Sequence, residues 1–249
     1  MSEWGNYSGP GDSWAGYRNS GCEKIVLRGG VKSYLLNRIA PESTYDSLLA
    51  FPKYFEIETV NACNARCPMC TIDDWDRRDG LMDSALFDKI AAEIGQHSEE
   101  VKRVSLYRDG EPLLDKRIAS KVANLKGRGV QRVGISTNAA LLTAEKSESL
   151  LLSGIDEVLL SVDSLYKGTY EEIRVGLNFE EVVKNCAAFI GLRDAMQSNC
   201  QVWVRMIRQQ SNRYEWPDFE RYWRTLLQPT DRVDFRNIHN WGSQLVNFK

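Results

Sequence analysis

The 249-residue sequence has no apolar run approaching the roughly 18 residues that a membrane crossing demands. Its first 21 residues, MSEWGNYSGPGDSWAGYRNSG, lack the basic-then-apolar order of a secretory leader. An excess of one charge is missing too: 32 Lys and Arg stand against 34 Asp and Glu, for a formal net charge of −2. Without a basic surplus there is no electrostatic footprint for nucleic acid. These absences predict a cytoplasmic protein with no membrane and no nucleic-acid partner. Histidine and cysteine are also scarce, at two and six residues. In a reducing compartment, clustered cysteines bind metal or react rather than pair as disulfides.

What is present is a chain long enough for one large core, with 43% apolar residues and the size common to single α/β barrels. Residues 1–53 read as an irregular extension with one short helix, VKSYLLNRI, that stops before Pro41. From residue 54 the pattern is regular. FEIETV (55–60), RVSLYRD (103–109), QRVGISTN (131–138), EVLLSVD (157–163), QVWVRMIR (201–208) and RVDFRNI (232–238) read as strands. Helical spacing separates them at 84–96, 115–129, 142–154, 178–196 and 215–227. Asp83 or Ser84 and Thr143 are candidate N-caps, and Gly154 closes the third helix. Six strands alternating with five helices imply right-handed crossovers and a parallel sheet, either doubly wound or a partial (β/α)6 TIM-like barrel over 54–240. Residues 241–249 are left as a tail. In both architectures the loops after the strands' C-terminal ends build the site.

One such loop contains NACNARCPMC (61–70), with Cys63, Cys67 and Cys70 in a C-x3-C-x2-C spacing directly after the first strand. The loop spans about 20 residues, longer than most βα connections. A structural zinc site wants four protein ligands, and no second cysteine pair exists to complete one. Three thiolates suit instead a cubane iron–sulfur cluster with one iron open to a non-protein ligand. Cys186 and Cys200, in an apolar helix and beside a strand, read as buried free thiols.

CNARCPMC after a first barrel strand resembles the signature of the radical S-adenosylmethionine (SAM) enzymes, and the resemblance extends over about residues 54–240. It implies that Cys63, Cys67 and Cys70 hold a 4Fe–4S cluster whose fourth iron is chelated by SAM. One electron then cleaves SAM to methionine and a 5′-deoxyadenosyl radical, which takes a hydrogen atom from the substrate. YRDGEPLLD (107–115) is similar to the family's GGEP motif, which receives the SAM amino group; Gly110, Glu111 and Pro112 match, and Asp109 replaces the first Gly. ISTNAALLT (135–143) puts Ser136 and Asn138 near SAM, and LLSVDS puts Ser161 and Asp163 near its ribose or carboxylate. TYEEIRVG (169–176) resembles a stretch whose Arg pairs with the SAM carboxylate, here Arg174, for which a guanidinium fork is better suited than an ammonium. Met69 occupies a position that is commonly aromatic in the family; its thioether can pack on adenine.

On the substrate side, strands five and six are expected to deliver Arg208, Gln209, Arg236, Asn237, His239 and Trp241 to the mouth, and Tyr107 to touch the substrate or a radical intermediate. Cys22 is the candidate hydrogen donor should the reaction be an epimerisation. The implied substrate is a small molecule, sugar or peptide, oxidised, epimerised or cross-linked, with a one-electron donor such as flavodoxin or ferredoxin. GEPLLD, STN and SVDS are most similar to members with a C-terminal SPASM or Twitch extension. The last cysteine here is Cys200, which implies absent auxiliary clusters or a truncated chain. The alternative is a non-catalytic zinc or iron–sulfur binding interaction module.

Overall fold

The computed structural model describes residues 51–72 and 80–238. The expected helix at 31–39, along with Cys22, His239 and Trp241, lies outside these residues. The described chain runs through β1 (Tyr54–Glu56), β2 (Val60–Asn61), β3 (Gly80–Leu81), α1 (Ser84–Gln96) and β4 (Arg103–Ser105). It continues through α2 (Ile118–Gly127), β5 (Val133–Thr137), α3 (Ala144–Leu152), β6 (Glu157–Ser161) and α4 (Lys167–Ile173). It ends with α5 (Phe179–Ala195), β7 (Gln201–Arg208), α6 (Trp216–Arg224) and β8 (Arg232–Asn237).

Six strands form one parallel sheet in the order β1-β4-β5-β6-β7-β8. This order chooses between the two architectures. A doubly wound sheet reverses its strand order at a switch point; here each strand pairs only with its neighbours in sequence, as in a barrel wall. The outer face of the sheet is apolar and packs on the helices. Val104, Val133, Val158, Val202 and Val233 meet Phe87, Val122, Leu150, Phe189 and Trp223 in one buried core. Cys186 and Cys200 are buried in it as free thiols, as their surroundings predict. Among the described residues no helix is long and apolar enough to cross a membrane.

The helix signals act as local chemistry dictates. Asp83 Oδ1 accepts from the amides of Ala85 (2.9 Å) and Leu86 (3.1 Å), Thr143 Oγ1 from Lys146 (3.3 Å) and Asn178 Oδ1 from Glu181 (2.9 Å). Gly154 ends the α3 turn at φ 79°, open to a residue without a Cβ.

Several boundaries are shorter than the sequence reading, and three of the differences shape the site. The strand expected over 55–60 breaks after Glu56. Ile57 still bonds Ser105, but Val60–Asn61 turns away and pairs antiparallel with Gly80–Leu81. The strand expected over 103–109 stops at Ser105, so Tyr107 to Gly110 form a loop at its end. The helix expected from 115 starts at Ile118, because Asp115 closes a 3₁₀ turn over Pro112–Leu114 and pairs with Lys121 Nζ at 2.7 Å. The short helix α4 was not foreseen.

At the N-terminal ends of the strands, Arg193 of α5 ties β7 to β8. Its guanidinium is 1% exposed and takes both oxygens of buried Asp231 (2.9 and 2.7 Å) and the Cys200 carbonyl (2.9 Å). Asp231 also accepts from the amides of Val202 and Gln228. Arg193→Met strands that buried carboxylate, and chemical denaturation is expected to show a loss of about 3–5 kcal/mol. A loss below about 1 kcal/mol would show that water reaches Asp231.

Candidate cofactor site

The three thiols of the cysteine loop line a single cleft of about 270 Å³, together with Met69, Tyr107, Asp109, Gly110, Ser136, Asn138, Ser161, Arg174 and Ile207. These residues come from loop 62–72, from the C-terminal ends of β4, β5, β6 and β7 and, for Arg174, from the end of α4, so the fold brings together positions up to about 140 residues apart. Most of the residues singled out in the sequence therefore share one concavity.

Two elements clamp the cysteine loop. On one side, Val175 O, just past α4, accepts from the Arg66 amide (2.8 Å), while Arg66 Nη1 donates to the Cys63 carbonyl (2.7 Å). On the other, the Glu111 amide donates to Ala62 O (2.8 Å). Gly110 is required by that second contact. A Cβ there would overlap the Val60 carbonyl oxygen and sit 3.0 Å from Ala62 O, so only glycine lets the two loops close.

Glu111 is a hub. Its carboxylate is 3% exposed and accepts from Leu113 N (3.0 Å), Thr137 Oγ1 (2.7 Å) and Asn138 N (2.8 Å). Burial raises its pKa, and these three hydrogen bonds oppose the rise. Pro112 is buried as the first residue of the 3₁₀ turn, outside the cleft lining. Asp163 is fully buried and also outside the lining. It accepts from Ile207 N (2.6 Å) and from Arg174 Nε (2.6 Å), and so aims the arginine. Ser136 and Ser161 Oγ atoms lie 3.4 Å apart across the β5–β6 boundary.

N–H donors reach the sulfurs. Ala65 N lies 3.4 Å and Asn138 Nδ2 3.8 Å from Cys63 Sγ; Arg174 Nη1 lies 3.8 Å from Cys67 Sγ. Burial pushes the Cys63 thiol up to about 11 and raises that of Cys70 as well. Burial opposes charge on Arg174, yet Asp163 and the Cys67 sulfur hold it more firmly protonated than usual. Among the described residues no three acidic, cysteine or histidine side chains converge on a single-ion site. Three sulfurs spread around one cleft suit a multinuclear cluster, in which each thiolate takes a different iron and N–H donors stabilise the sulfur charge. The donor set fits a cubane.

The substrate-side expectations divide by strand face. Ile207 lines the cleft, so Arg208, one residue on, points to the outer face, over the Phe235 ring (4.0 Å) and onto Asn237 Oδ1 (3.0 Å). It lines a separate cavity with Gln209, Arg213 and Asn237. Arg236 is the register partner of Ile207 and shares the concave face. Sequence reasoning missed Asn64, which accepts from Asn138 Nδ2 (2.9 Å), Thr137, and Arg205, register partner of Ser161. Thr137 was readable, since it sits inside the STN stretch.

Fold and site define a parallel partial barrel with a three-thiol cleft at the rim where its strands end. The chain belongs to the radical SAM superfamily, whose family model matches residues 57–195. That family implies SAM and a 4Fe–4S cluster as cofactors. A tungsten-containing aldehyde ferredoxin oxidoreductase cofactor-modifying protein of Pyrococcus furiosus is 35% identical over 136 residues, 53% of this chain and 38% of that protein. A probable GTP 3′,8-cyclase of Methanococcus maripaludis is 29% identical over 130 residues, 52% of this chain and 43% of that protein. The match thus spans about two fifths of these relatives' length. Streptococcus suis SuiB bound to SAM shares the fold, with a TM-score of 0.62 and 18% identity over 76% of this chain and 41% of that one.

Proposed function

We propose that this chain is the catalytic core of a radical SAM enzyme acting on a small-molecule, sugar or peptide substrate. The observation that carries the reading is the convergence of Cys63, Cys67 and Cys70 with the GEP loop, Asn138 and Arg174 on one cleft. Cys63, Cys67 and Cys70 would hold the cluster, which supplies one electron for reductive cleavage of SAM, delivered by a flavodoxin- or ferredoxin-type donor.

The chain's own groups have distinct tasks. Arg174 has Nε on Asp163 and Nη1 toward Cys67, which leaves Nη2 for the SAM carboxylate. The Glu111 carboxylate already serves three donors, so the carbonyl groups of the 109–111 loop are better placed to receive the SAM amine. Ser136 and Ser161 offer hydroxyls to the ribose, and Met69, 7% exposed, packs on adenine. Tyr107 lies on the same wall, facing the space where the substrate would be attacked. Whether the outcome is oxidation, epimerisation or cross-linking follows from the substrate.

The test is anaerobic. The protein is reconstituted with iron and sulfide, reduced with dithionite and given SAM. Formation of 5′-deoxyadenosine is expected. A colourless protein that keeps zinc and forms none would replace this reading with a non-catalytic metal-binding module.

A further inference from the structure

The outer face of the sheet is apolar, but its concave face is charged, and the charge does not balance. Arg103 and Arg132 share one buried carboxylate, Glu157, at 2.9 and 3.1 Å. Arg205 is bidentate on Asp234, Nε at 2.7 Å and Nη2 at 2.8 Å. Arg232 and Arg236, on the same alternation of β8, have no carboxylate partner among the described residues. Glu56, the register partner of Ser105 on the same face, is taken by Arg108 at 2.6 Å, so six guanidiniums meet three carboxylates on this surface.

Arginines gather here at a cost. Three of them approach the ring of Trp203, Arg232 at 4.6 Å, Arg205 at 5.7 Å and Arg103 at 5.8 Å. The ring's electron-rich face offsets part of the repulsion. The indole Nε1 is itself buried with no hydrogen-bond partner. The wall thus offers donors and positive charge in excess of acceptors, and a bound anion is what such a wall lacks.

Position narrows the choice of residues. Arg205 is the register partner of Ser161 and Arg236 that of Ile207, and both partners line the thiol cleft. Asp234 holds Arg205 by Nε and Nη2, so Nη1 has no partner among the described residues and the fork is fixed in orientation. Arg208, which a reading by sequence neighbourhood would include, is on the other face.

We infer that the substrate carries an anionic group, a carboxylate or a phosphate, which Arg205 and Arg236 receive on the concave face beside the cleft. The inference rests on the assignment of that cleft to SAM. The acid partner of Arg205 then acts as a positioning residue, keeping the guanidinium extended before the substrate arrives.

The test is calorimetric titration of the full chain at low ionic strength, where such contacts are least screened. The probes are inorganic phosphate, pyrophosphate and succinate, with glucose as the neutral control. Saturable binding of at least one anion and none of glucose is expected. Preference for phosphate or pyrophosphate over succinate identifies the group as a phosphate, and the reverse identifies a carboxylate. Arg236→Gln should weaken the preferred probe about fivefold, the effect of losing one solvent-exposed charge pair. Arg205→Lys, which keeps the charge and loses the fork, should weaken it as well. Arg236 has no structural partner to lose, so its variant should melt like the parent. No saturable anion binding, or binding indifferent to both substitutions, overturns the inference. Formation of 5′-deoxyadenosine is read separately: its absence counts against the cofactor reading, while its presence without anion binding sinks the anionic substrate alone.

Discussion

Changing Cys63, Cys67 and Cys70 together to Ala is expected to give a folded protein that takes up no 4Fe–4S cluster and forms no 5′-deoxyadenosine. The three thiols lie in a loop and are half-buried at a cleft wall, outside the strand and helix ladders. Their removal leaves the valine-rich core and the Arg193–Asp231 tie in place. Circular dichroism and thermal melting should therefore move little, while iron and sulfide content after reconstitution falls to background. The burial that raises the Cys63 thiol to about 11 adds a second readout. A thiol with a raised pKa keeps its proton at neutral pH, and iron must displace it, so cluster assembly by the parent should quicken as pH rises from about 7 to 9. The triple variant should show no such dependence. Retained SAM cleavage in that variant would remove the cysteines from the chemistry.

The second large effect is expected from a single methyl group. Gly110→Ala places a Cβ inside the Val60 carbonyl oxygen, a backbone atom that cannot rotate out of the way. The cost lies at or beyond the upper end of the roughly 1–3 kcal/mol typical of overpacking. For a chain of this size that lowers Tm by about 6–12 °C. The damage also travels. Val60 leads to Ala62, whose carbonyl holds the Glu111 amide, and to Cys63 beyond it, so iron uptake should fall along with stability. Gly127→Ala, at a helical position with open space around its Cβ, is the control and should be neutral or slightly stabilising. A Gly110→Ala protein that melts like the Gly127 variant would show that β2 shifts freely, and the close junction of the two loops would carry no structural weight.

How far the sequence reached can be judged residue by residue. Ser84–Gln96 and Gln201–Arg208 were readable to the residue, because a cap or an alternating apolar run is a local signal. Cys63, Cys67, Cys70 and Asn138 were legible as a set, since each follows a strand and parallel strands end on one rim, whereas Arg174, at the end of α4, was legible from its motif alone. The break after Glu56 was not, because alternation continues through FEIETV while the hydrogen-bond partner changes from β4 to β3, and a partner leaves no mark on local periodicity. Arg208 was misplaced for a related reason. A period of two says which residues share a face without saying which face is concave. Arg205 was overlooked because its claim depends on its register with Ser161, a pairing between strands about 40 residues apart. Glu111 and Asp163 were read as groups that meet SAM. The structure gives their carboxylates to donors within the chain, and short motifs do not distinguish a residue that touches a ligand from one that holds its neighbour in place.

Asp163 has a mechanical consequence. One of its oxygens is bonded to the backbone of β7 at Ile207 and the other to Arg174, whose far nitrogen reaches Cys67. Asp163 is fully buried and its two bonds are short, so neither partner can move by about 1 Å without lengthening one of them. The β7 wall of the cleft and the Cys67 sulfur are therefore parts of one lever. A load placed on β7 arrives at Cys67 as a displacement of charge, and a shift of the Cys67 sulfur would push back along the same rod.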